Sequence, residues 1–91
     1  MQIVHLEIAG HVQGVGFRHF VRQHAARLGI AGWVRNLSSG NLECTAAGED
    51  AAIEELLGAL RLGPPGAVVK QLINLTPPQS PELPMPFTIL K

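Results

Sequence analysis

Residues 10–18 read Gly-His-Val-Gln-Gly-Val-Gly-Phe-Arg, with Gly10, Gly14 and Gly16 preceding Arg18. Glycines permit backbone conformations in which successive N–H groups point inward, and the start of a helix adds free N–H groups and partial positive charge. Such a cradle suits one phosphate group. The run lacks the Lys-Ser/Thr ending of a nucleotide P-loop and the G-x-G-x-x-G spacing of a dinucleotide site, so ATP and NAD fit poorly. Arg18 falls in the first turn of the helix expected to follow, where the dipole disfavours a cation unless an anion lies between them. Its planar guanidinium can donate two parallel hydrogen bonds to phosphate oxygens, a geometry that lysine lacks. These residues alone leave open a solvated arginine beside a chain-reversing glycine turn. Asn36, just ahead of Ser38-Ser39-Gly40, is equally open between capping that turn and meeting a ligand.

The elements that must position these residues follow from apolar spacing. Val4, Leu6 and Ile8 alternate with His5 and Glu7, predicting a strand over 3–8. Phe17, Phe20, Val21, His24, Ala25 and Leu28 form the stripe of an amphipathic helix that Gly29 can close. Residues 30–37 read as a second strand. Ser38-Ser39-Gly40 turns it into a third, where Leu42, Cys44 and Ala46 alternate with Glu43 and Thr45. Glu49 and Asp50 suit the first turn of a second helix whose apolar face is Ile53, Leu56, Leu57 and Leu60. Gly63-Pro64-Pro65-Gly66 ends that helix, and residues 67–75 read as a fourth strand. Residues 76–86 hold five of the seven prolines and predict a stiff extended connection to a short closing strand over 87–90.

The order βαββαβ plus a short carboxy-terminal strand predicts an α+β ferredoxin-like sandwich, with two helices on one face of a mostly antiparallel sheet and residues 1–91 as a single domain. A strand–helix–strand crossover makes the first two strands parallel. The loop leaving the first and the hairpin leaving the second then emerge at one end of the sheet, which brings residues 10–18 and 36–40 to one rim.

With that order in place, the runs GHVQGVGFR (residues 10–18) and GWVRNLSSG (residues 32–40) resemble the two signature regions of the acylphosphatase family, and the resemblance covers essentially the whole chain. It implies hydrolysis of the carboxyl–phosphate bond of small acyl phosphates to a carboxylate and inorganic phosphate. It further implies that Arg18 binds the phosphate together with backbone amides of Val12, Gln13, Gly14, Val15, Gly16 and Phe17, and that Asn36 orients the attacking water. Ser38-Ser39-Gly40 stands where the family more often has a Pro-Asp-Gly turn, a change that bears on turn rigidity and so on turnover rate. An acyl phosphate has a carboxylate leaving group of low pKa, so positioning and charge stabilisation carry the reaction. The scheme calls on no metal or other cofactor.

Composition bounds the alternatives. Seven basic and seven acidic side chains give zero formal net charge, which offers no electrostatic footprint for nucleic acid or an anionic membrane. Cys44 is the single cysteine, which fits a reducing compartment and leaves no intrachain disulfide; the expected location is the cytoplasm and the expected state a monomer. His19 and His24 are off the i, i+4 spacing for a shared metal, and His5 and His11 are isolated in sequence, so structural or surface roles are expected for all four. A carbamoyl-phosphate-handling acylphosphatase-like domain of a hydrogenase maturation protein is a second possibility; the single cysteine argues against it. The non-enzyme alternative is a ferredoxin-like ligand- or RNA-binding module. Three Phe, one Trp and no Tyr make a poor stacking face for RNA.

Overall fold

Alternation in the first strand translates directly into a buried row. In the computed structural model, which describes residues 1–79 and 82–91, Val4, Leu6 and Ile8 turn to one side of β1 (Gln2–His11) and are buried. Helix α1 (Phe17–Leu28) places Phe17, Val21 and Ala25 against that row. It stops where Gly29 takes φ 70°, a left-handed conformation that costs a glycine little. The N–H groups of Gly29 and Ile30 then bond the carbonyls of Ala26 and Ala25. β2 (Ala31–Asn36) and β3 (Leu42–Gly48) form the expected hairpin, and α2 (Asp50–Leu62) buries Ile53, Leu56, Leu57 and Leu60 as its spacing predicts. β4 (Val68–Leu75) and the two-residue β5 (Thr88–Ile89) complete a five-stranded sheet in the order β4-β1-β3-β2-β5.

β1 and β2 are both antiparallel to β3, so they run in the same direction, and β5 adds to β2 in parallel. One core cluster joins Val4, Leu6, Ile8, Val34, Leu42, Cys44 and Ala46 of the sheet with the apolar faces of both helices, which therefore share one face. The result is the ferredoxin-like α+β arrangement.

Several boundaries differ from those expected, each for a local reason. β1 runs on through Gly10 and His11 because pairing with β4 resumes at Val69 and Val68 after a bulge between Ala9 and Gly10. Gly10 has φ 134°, and a Cβ there would overlap the Val68 carbonyl oxygen. The loop to α1 is correspondingly short. β2 stops at Asn36, since Leu37 closes the turn instead, donating its N–H to the Asn41 carbonyl and accepting from Gly40 N–H. At the carboxy terminus only Thr88 and Ile89 pair with β2, while Phe87 is buried in the core. The expected proline-rich connection over 76–86 includes residues 80 and 81, which lie outside the described residues. Beyond them, the Pro84 carbonyl accepts from Gly32 N–H at 2.9 Å.

The sheet face away from the helices is closed by polar pairing. Glu43 accepts from Arg35 Nε at 2.6 Å and pairs with His5 Nε2 at 2.7 Å, while the Arg35 guanidinium lies over the Trp33 ring. His5, isolated in sequence, is thus joined to Glu43 by strand pairing. Burial works to raise the Glu43 carboxyl's pKa, but the hydrogen bonds and charges of His5 and Arg35 hold it below the ordinary value. Arg35, the cation beside Trp33, is thus paired with Glu43.

Candidate functional site

The loop after β1 is pinned at both ends. Val12 and Phe17 are buried at 1% and 2% exposure, so the core holds the backbone on either side of the glycines. Gly14 and Gly16 each take φ 76°, and nothing lies within contact distance of a Cβ built on either; the requirement for glycine there is conformational and not steric. Gly16 is the N-cap of α1 and supplies no capping side chain, and the first helical turn carries no acidic residue. Its free N–H groups are open to an anion.

A side chain ties this loop to the β2–β3 hairpin. Gln13 Nε2 donates to the carbonyls of Leu37 at 2.8 Å and Asn41 at 3.0 Å. The Asn41 carbonyl also accepts Leu37 N–H at 2.8 Å, and Asn41 Nδ2 donates to Glu7 on β1 at 2.6 Å. The loop and the hairpin are held as one unit by hydrogen bonds that neither could form alone.

Between them lies a cavity of about 240 Å³ lined by Val12, Gln13, Gly14, Gly16, Phe17, Arg18, His19 and Asn36. Arg18, on the first turn of α1, and Asn36, the last residue of β2, share this cavity as the rim argument predicts. Among the described residues, no ion pair or side-chain hydrogen bond engages the Arg18 guanidinium, and no carboxylate lines the cavity. The glycine loop, the start of α1 and Arg18 border one space large enough for a small phosphorylated ligand. Chemically, that combination is able to bind an oxyanion with a carboxamide beside it that can hold water.

Of the expected backbone donors, Val15 does not line the cavity; its side chain packs against the core. His11 ends β1 and is exposed, apart from the cavity lining. His24 is half-buried with its ring edge-on to Phe20 at 4.5 Å, a structural role as expected. His19 is different, because it lines the cavity and its Nδ1 meets Arg22 Nη2 at 3.1 Å. The i, i+3 spacing of His19 and Arg22 is visible in the sequence, but the place of His19 beside the glycine loop is not. The clamping role of the Gln13 side chain carries no local signal, since its partners lie in the hairpin.

The acylphosphatase family model matches residues 4–88. The chain is 49% identical over 79 residues to an acylphosphatase of Acidiphilium cryptum, covering 85% of this chain and 87% of the relative. The crystal structure of acylphosphatase from Bacillus subtilis superposes with a TM-score of 0.91 at 34% identity, covering 100% of both chains. The crystal structure of HypF from T. kodakarensis matches with a TM-score of 0.82 at 30% identity, covering 100% of this chain but 12% of that one.

Proposed function

We propose that this chain, which belongs to the acylphosphatase family and hydrolyses acyl phosphates to a carboxylate and inorganic phosphate, divides that reaction between Arg18 and Asn36. Arg18 holds the phosphoryl oxygens, together with backbone N–H groups of the Val12–Phe17 loop. Asn36 holds the attacking water. The observation that carries this division is the shared cavity, in which an uncommitted guanidinium, a glycine loop at a helix start and a carboxamide face one space.

The chemistry asks little more of the protein. Water attacks phosphorus, the phosphorus–oxygen bond to the acyl group breaks, and the electron pair leaves on a carboxylate that needs no general acid. Arg18 and the amides stabilise charge on the equatorial oxygens, and Asn36 reduces the entropy of bringing water into line. No side chain is assigned as a general base.

Acetyl phosphate hydrolysis in chelator-containing buffer tests the scheme. Arg18→Ala is expected to abolish turnover and inhibition by inorganic phosphate together, whereas Asn36→Ala loses turnover and keeps phosphate inhibition. Equal loss of phosphate affinity in both variants overturns the division of roles. We place the enzyme in the cytoplasm as a monomer. The buried free thiol of Cys44 and the burial of Phe17, Val21 and Ala25 on α1 and of Ile53, Leu56, Leu57 and Leu60 on α2 within one chain support that assignment, and sedimentation of the purified protein tests the monomer.

A further inference from the structure

His19 stands on the same cavity as Arg18 and Asn36, yet the division of roles above leaves it without a task. Arg22 fixes its chemistry. A guanidinium can only donate, so the 3.1 Å contact from Arg22 Nη2 makes His19 Nδ1 an acceptor, and the neutral ring then carries its proton on Nε2. Nε2–H is the ring's one remaining hydrogen-bonding group, a neutral donor on a residue at the cavity wall. The cavity, at about 240 Å³, equals roughly eight waters at ~30 Å³ each. That exceeds what one phosphate fills and leaves room for a small acyl group next to it.

We infer that His19 is the residue that meets the acyl half of the substrate, donating a hydrogen bond from Nε2–H to the acyl carbonyl oxygen, over which charge spreads as the carboxylate departs. This rests on the phosphate half being held by Arg18. No proton is transferred at His19: the water oxygen bonds to phosphorus, the bond to the acyl oxygen breaks, the carboxylate leaves with the electron pair, and the water's proton passes to solvent or phosphate. Arg22 acts as a positioning residue that holds the ring in the tautomer with its donor free.

The assignment separates acyl recognition from phosphate recognition, and the test reads both. His19→Phe keeps a planar aromatic ring and removes the donor. It is expected to lower kcat/KM for acetyl phosphate about tenfold or more while leaving inhibition by inorganic phosphate unchanged. Across substituted benzoyl phosphates, His19→Phe should show a steeper dependence on leaving-group basicity than the wild-type enzyme. His19→Gln, which restores an N–H donor, should recover part of the loss, and Arg22→Ala should lose rate in the same direction to a smaller extent. Unchanged kcat/KM in His19→Phe overturns the inference, as does a loss of phosphate affinity that matches the loss of turnover, which would make His19 a support for the cradle. Failure of the phosphate assignment itself would appear instead in Arg18→Ala, through retained phosphate inhibition with His19 intact.

Discussion

Arg18 occupies a position that an isolated helix would give to an acid, and α1 has no acidic residue in its first turn to offset it. A phosphate bound there, as proposed, would supply the missing negative charge. In the proposed role the planar fork of Arg18 matters as well as its charge, so Arg18→Lys is expected to weaken inorganic-phosphate inhibition by about tenfold or more despite keeping the cation; competitive inhibition constants check this. Gln13 gives a second residue-scale prediction. Its Nε2 bridges two carbonyls of the hairpin, so Gln13→Glu would turn a carboxylate oxygen toward them and place negative charge on the cavity wall. Expected outcomes are a loss of stability of about 1–3 kcal/mol in denaturant titration and weakened phosphate inhibition, with Gln13→Ala milder in the second. Element order and family resemblance single out Arg18 and Asn36 as candidates, and both line one cavity, whereas the Gln13 bridge had no such signal, because its acceptors are main-chain atoms 24 and 28 positions away.

At the scale of elements, two contacts set how strands meet. Gly10 sits at the bulge where β1 passes β4, with φ 134° and no room for a Cβ beside the Val68 carbonyl. Gly10→Ala is expected to destabilise the fold by about 2 kcal/mol or more, read as a lower midpoint in urea. The bulge was invisible in the sequence because Gly10 reads as part of the glycine run that follows, and only pairing with Val68 and Val69 assigns it to β1. Glu43 bridges β1, β2 and β3 through His5 and Arg35. Its pKa is lowered from 4.5 in the folded chain, so the unfolded chain takes up its proton first as pH falls. The associated stability is present above about pH 4.5 and is lost as pH drops through the lower folded value. Glu43→Gln should accordingly show a smaller decline in stability over that acid range than the wild-type protein, in urea midpoints measured at successive pH values.

For the whole molecule, the core is one cluster in which each helix faces the same side of the sheet, and Cys44 lies inside it, fully buried. Burial, with Glu43's charge adding to it, pushes the Cys44 thiol up to about 12, so little thiolate exists at neutral pH and none is accessible. Alkylation by iodoacetamide is expected to be negligible in the native protein and to rise with the unfolded fraction across a urea titration. A fast reaction in native buffer would show that β3 opens without global unfolding. Leu56, buried against the same cluster, offers the matching packing test: Leu56→Ala should cost about 2–5 kcal/mol without altering which residues line the cavity.

By itself the sequence determined the order of elements, the apolar faces of both helices, and the meeting of Arg18 and Asn36 at one end of the sheet. Those depend on local periodicity, turn chemistry and the handed crossover that sets β1 and β2 parallel. Tertiary structure alone decided the extent of β1, the ion pairing of His5, the clamp made by Gln13 and the position of His19 on the cavity wall. Each of these joins chain segments through hydrogen bonds or packing whose partners are set by strand register and helix rotation. Spacing along one segment does not encode them; they exist only once the segments have met.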